Sequence, residues 1–180
     1  MVSFTAWYPW KQREDIPGSQ YGGVYLIARF ESGNVRQGPA EPLNLQVILI
    51  GQTGGRTKTG DPSPDAYFTK RWRDFEISAS SGEKGHIGGR HYYALGLPPP
   101  PDDLWVSASQ FPLPNSEEIQ PFRFSVGEIE TKVIRRFIAV RYVDQINELE
   151  HDLIVQFKNK HGRLPICNRE IPRVLGKRVE

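Results

Sequence analysis

Two short apolar runs, each closed off by glycine, constrain this chain more than any other feature in it. In "GGVYLIARF", Gly22 to Phe30, and "LQVILIG", Leu45 to Gly51, β-branched and aromatic residues crowd between turn formers, as in buried β-strands. The segment joining them, "ESGNVRQGPAEPLN", is made of turn residues throughout. The two runs are therefore expected to pair antiparallel across a long, irregular insertion around 31–44.

The pattern then changes period. "DAYFTKRWRDFEISA" places Phe68, Trp72 and Phe75 at helical spacing, which predicts a short amphipathic helix from about Pro64 or Asp65. "LWVSAS" reads as a third strand, and "LGLPPPPDD" before it as a stiff surface turn. In the last third, Ser125 and Glu128 form a capping box, with Ile129, Val133, Phe137 and Val140 on one helical face. A second helical pattern carries Ile146, Leu149, Leu153, Ile154 and Phe157 and stops at Gly162. The fold class expected is α/β, more narrowly α+β, with a small antiparallel three-stranded sheet flanked by helices. A single domain over 1–180 is expected, with an N-terminal arm over 1–20 as part of it.

At 180 residues such a domain can bury a core without disulfide or metal staples. Cys167 is the chain's single cysteine and has no partner within it, so a reducing, cytoplasmic compartment is expected. No stretch approaches the roughly 20 apolar residues of a membrane span. A net charge of +2 is compatible with a nucleic-acid partner without singling one out.

"VILIGQTGGRTKTGDPSPD", Val47 to Asp65, has the outline of a strand running into a phosphate-binding loop. It fails on geometry. Thr57, not glycine, precedes Lys58, and Pro62 and Pro64 prevent a helix from starting directly behind the lysine. At the N-terminus, "FTAWYPW" admits two readings. Trp7, Tyr8 and Trp10 either pack into the core as an arm or form an exposed aromatic anchor for a partner.

Taken together and in order, "GVYLI", "ILIGQT", "FTKRWRDF", "LEHDLI" and "GRLPICN" resemble the motifs of the GIY-YIG nuclease family, from Gly23 to Asn168. The resemblance implies that Tyr25, Arg71, Glu150 and Asn168 are catalytic-site residues, with Glu150 the metal ligand. "ISASSGEKGHIGGRHYY" is similar to a segment of a subgroup that includes restriction endonucleases, which adds His86 to the catalytic set. It reads as a glycine-rich loop holding His86, with His91 structural and leading into the next strand. Leu49 stands where the family's second motif has tyrosine, so a degenerate member that binds nucleic acid without cutting it is the alternative.

The chemistry implied is hydrolysis of DNA phosphodiester bonds, most readily in duplex DNA, with Mg²⁺ or Mn²⁺. Mg²⁺ is commonly held by one or two carboxylates plus waters and phosphate oxygens, so Glu150 alone can serve. Arg71 offers a permanently charged fork to the phosphate. Tyr25 would act as general base toward water, with a covalent phosphotyrosyl intermediate as the second role. Arg56, Lys58, Arg73, Lys84 and Arg90 are candidates for phosphate-backbone contacts. A homodimer is the partner arrangement considered, since many cutters of duplex DNA pair two active sites.

Overall fold

The computed structural model describes residues 3–30, 37–53, 67–100, 103–111, 127–172 and 174, with side chains in 127–142 excepted. It is an α+β domain built on a four-stranded antiparallel sheet. The strands are β1 (Tyr8–Pro9), β2 (Gly22–Arg29), β3 (Val47–Thr53) and β4 (Leu104–Phe111), in the spatial order β1-β4-β2-β3. Between β3 and β4 lie α1 (Phe68–Ser81) and α2 (Ile87–Ala94), and α3 (Gly127–His161) follows.

β2 is the central strand, and its sequence shows why. Successive side chains of a strand point to opposite faces, so a run that is apolar at every position must be covered on both. Val24, Leu26 and Ala28 pack with Ile50 and with Val143, Ile146, Leu153, Ile154 and Phe157 of α3. Tyr25 and Ile27 pack on the other face with Leu49, Phe68, Trp72, Phe75 and Tyr92 of the α1–α2 layer.

α1 begins at Phe68, and residues 64–66, where its start was expected, lie outside the described residues. Its N-cap, Tyr67, offers no side-chain bond. Two of its first free amides are met from outside the helix: Phe68 N–H donates to Tyr21 O and Thr69 N–H to Ser19 O.

The expectation of three strands is corrected by the N-terminal arm, whose Tyr8 and Pro9 pair with Val106 and Trp105 of β4. The exposed-anchor reading of that arm is also corrected. Trp10 is fully buried and Trp7 nearly so, with Trp7 edge-on to Phe30 at 5.2 Å. The Trp10 indole N–H donates to Glu76 of α1, and Arg13 lies over the Trp10 ring while donating to Glu76 Oε2 at 2.6 Å.

The two C-terminal helices expected from the sequence are one helix of 35 residues. No glycine or proline lies between Gly127 and Gly162, so nothing in the backbone interrupts it. The capping-box residue Ser125 lies outside the described residues. At the far end Gly162 adopts positive φ and its N–H closes on Lys158 O. Among the described residues no helix is long and apolar enough to cross a membrane.

Candidate functional site

The expected site residues come from five separate places in the chain. Tyr25 lies on β2, Arg71 on α1, His86 at the start of α2, Glu150 on α3 and Asn168 beyond it. All five line one cleft of about 1010 Å³ beside the outer strand β3.

Tyr25 is positioned by what is missing opposite it. In register it faces Gly51 of β3. A Cβ at Gly51 would come within 2.6 Å of both Cζ and Oη of Tyr25, so the phenol lies across a strand position that only glycine leaves free. Phe68 and Trp72 hold the ring edge-on at 6.3 and 6.4 Å.

His86 is not in a loop but is the N-cap of α2, and it is buried. Its Nδ1 accepts from Gly89 N–H at 3.2 Å, and its Nε2 lies 2.5 Å from Tyr25 Oη. Burial, with Arg71 nearby, holds the His86 pKa well below the usual imidazole range, so the ring is neutral at pH 7. With Nδ1 an acceptor, the single ring proton belongs on Nε2, and His86 donates to Tyr25. His91 also belongs to α2 rather than to an approach to β4. It lines the cleft with its Nδ1 buried and unpartnered.

Arg71 lines the cleft together with Tyr25 and Glu150 and acts electrostatically on both. Burial drives the Tyr25 hydroxyl pKa above its ordinary value, against the lowering influence of Arg71. Burial likewise pushes the Glu150 carboxyl up to about 7, again opposed by Arg71.

Asn168 has a different occupation. Its amide accepts from Ile50 N–H at 2.9 Å and donates to Ile50 O at 2.7 Å, while Cys167 N–H donates to Ile48 O. Besides lining the cleft, Asn168 is thus a two-point clamp that fastens the closing segment to β3.

Of the cations expected to meet a nucleic-acid backbone, Arg90 lines the cleft. Arg73 and Lys84 are exposed and do not line it. Arg56 and Lys58 lie outside the described residues.

Gln52, Tyr93 and Arg169, for which the sequence carried no expectation, line the cleft too, as does His91, which was expected to be structural. Gln52 had a signal, being a polar side chain directly after Gly51 in an apolar strand. Val24 opposite it in register packs with α3, so Gln52 shares that face with Glu150. Its Oε1 is buried and unpartnered.

Among the described residues no group of three or more His, Cys, Asp or Glu side chains is arranged to hold a metal. The donor atoms in the cleft fit a hard divalent ion that keeps most of its waters. Glu150 supplies a carboxylate and Gln52 an orphaned amide oxygen, both ligands suited to Mg²⁺ or Mn²⁺. The Cys167 thiol is poorly suited, because burial pushes it up to about 12, and both His86 nitrogens are engaged, whereas His91 Nδ1 has no hydrogen-bond partner.

No protein-family model matches the chain, and it matches no curated protein and no solved structure.

Proposed function

We propose that this chain is a divalent-metal-dependent endonuclease of the GIY-YIG type that hydrolyses phosphodiester bonds in DNA. The observation that carries the reading is that Arg71 of α1, Tyr25 of β2 and Glu150 of α3, far apart in the chain, line one cleft. A guanidinium between a phenol and a carboxylate, at the wall of an open cleft, is suited to a phosphate.

Each residue has a task that its surroundings support. Arg71 would take the non-bridging oxygens of the scissile phosphate and offset the charge that grows on them during attack. Tyr25 would accept a proton from the attacking water, which requires its phenolate form. Burial works against that form, whereas donation from His86 Nε2–H and the positive charge of Arg71 work for it. His86 is a positioning residue. With its proton on Nε2 and Nδ1 engaged by Gly89, it holds the phenol oxygen in place and does not relieve it of a proton. Glu150 and Gln52 would hold the divalent ion, which when bound supplies positive charge beside the phosphate and a template for orienting it.

Supercoiled plasmid incubated with the protein and Mg²⁺ or Mn²⁺ tests this. Nicking or linearisation by the wild type, lost in Glu150→Ala, is the expected result. Equal cutting by both proteins, or none by either, removes the enzyme reading. A protein–DNA adduct that survives denaturation would replace the water mechanism with a tyrosyl intermediate.

One observation favours a second reading, in which the cleft binds nucleic acid without cutting it. Leu49, buried on the cleft wall, brings no hydroxyl to the position where the resemblance expects one. A wild type that retards DNA in a gel yet leaves it intact with either metal would establish that reading instead.

A further inference from the structure

α2 brings side chains into the cleft that the hydrolytic chemistry does not use. Ile87 and Tyr93 line it, yet they stand 66% and 51% exposed. Arg90, between them in sequence, is exposed on the same wall. Single exposed apolar residues are ordinary on a protein surface. An aromatic ring and an isoleucine flanking an arginine, at the mouth of a cleft that also holds Arg71 and Arg169, form a surface suited to nucleobases and phosphates together.

The seating of Tyr93 carries the argument further. Gly82 ends α1 in the left-handed conformation, with φ of 74°. A Cβ there would meet Tyr93 Cδ1 at 2.8 Å and Cε1 at 2.9 Å, so the ring rests directly on the Gly82 backbone. Gly82 supports the ring along its Cδ1–Cε1 side, while the side chain stays half exposed at the cleft. A ring held this way loses little freedom when a flat ligand settles on it.

We propose that Tyr93 is a stacking platform for a nucleobase of the strand whose phosphate enters beside Arg71 and Arg90. The proposal rests on the nucleic-acid reading of the cleft and narrows its substrate. A base within an intact duplex offers no free face to the ring, so the strand acted on is unpaired, or opens locally, where it meets α2.

The test uses oligothymidylate and an abasic strand of equal length, each titrated by fluorescence anisotropy with Ca²⁺ in place of Mg²⁺ to keep the strands intact. Tyr93→Ala should weaken oligothymidylate binding about tenfold, within the range found for single base–aromatic stacks, and leave abasic-strand binding unchanged. Tyr93→Phe, which keeps the ring and loses the hydroxyl, should bind as the wild type does. An alanine variant that binds oligothymidylate undiminished, or that loses equally on both strands, overturns the stacking role. Wild type that binds neither strand but still cuts plasmid overturns it too and leaves the nuclease standing. Wild type that neither binds nor cuts removes the nuclease along with it. Because Tyr93 is half exposed, the alanine variant should fold, and an unchanged melting temperature verifies that it has.

Discussion

The hydroxyl of Tyr25 lies 2.5 Å from Nε2 of His86, and the other nitrogen of the same ring caps α2 through Gly89. One imidazole therefore does two jobs that two amide side chains can separate. Asparagine keeps the N-cap acceptor but cannot reach Tyr25, whereas glutamine can extend an N–H toward Tyr25 but caps poorly. His86→Asn is expected to melt near the wild-type temperature and to lose about tenfold to a hundredfold in kcat with little change in KM. His86→Gln should show the reverse, retaining part of kcat and losing about 1 kcal/mol of stability. Thermal melts alongside steady-state cleavage of a labelled oligonucleotide separate the two.

Gly51 is the second lever on Tyr25. A methyl group at that position collides with the phenol at 2.6 Å, so the ring must turn or β3 must shift. Gly51→Ala should destabilise the fold by about 1–3 kcal/mol, as overpacking does. Cleavage should fall further than stability explains. Denaturant titration gives the first quantity, and rates measured well below the melting temperature give the second.

The Glu150 carboxyl, raised to about 7, predicts a pH dependence for metal binding. A divalent ion binds the carboxylate and competes with its proton. Mn²⁺ affinity followed by electron paramagnetic resonance should be nearly constant above pH 7 and fall about tenfold per unit below it. The stability trend has the opposite sign without metal. A folded-state pKa above the unfolded value means that the folded protein holds the extra proton, so stability is lost as pH rises from about 4.5 through 7. Glu150→Gln should abolish both dependences. A metal affinity as steep in the variant as in the wild type would assign the titration to another group.

Placing a tyrosine at position 49 should not raise cleavage. Leu49 is buried, and its Cδ1 fills the space beside Gly88 so closely that a Cβ there would stand 2.8 Å away. A phenol in that space must push the start of α2 outward and carry His86 with it. Leu49→Tyr is expected to cost about 1–3 kcal/mol and to lower cleavage rather than raise it. Increased cleavage at unchanged stability would mean that the site lacks the hydroxyl.

The sequence showed most of the fold wherever one local pattern sufficed. β2, β3, β4 and the apolar face of α1 are each written in an unbroken period. The two-residue β1 could not be read that way, because Pro9 is a poor strand former and the pairing depends on distant β4. α2 was hidden for a similar reason. Gly88 and Gly89 read as loop, yet they are what lets the helix approach its neighbours, since a Cβ at Gly89 would meet Phe75 O at 2.6 Å. Tertiary contact overrode propensity in both. In the site, the positions of Tyr25, Arg71 and Glu150 on one cleft were expected. The N-cap duty of His86 and the clamp made by Asn168 were not, because hydrogen-bond partners have no local signature.

The fastening of Cys167 and Asn168 along β3 has one more consequence. Those bonds occupy the outward-facing amide and carbonyl of Ile50 and the carbonyl of Ile48, which would otherwise invite a foreign strand. At the opposite margin stands β1, two residues long and ending in proline. Among the described residues both rims of the folded sheet are thus blunted against edge-to-edge pairing with another backbone.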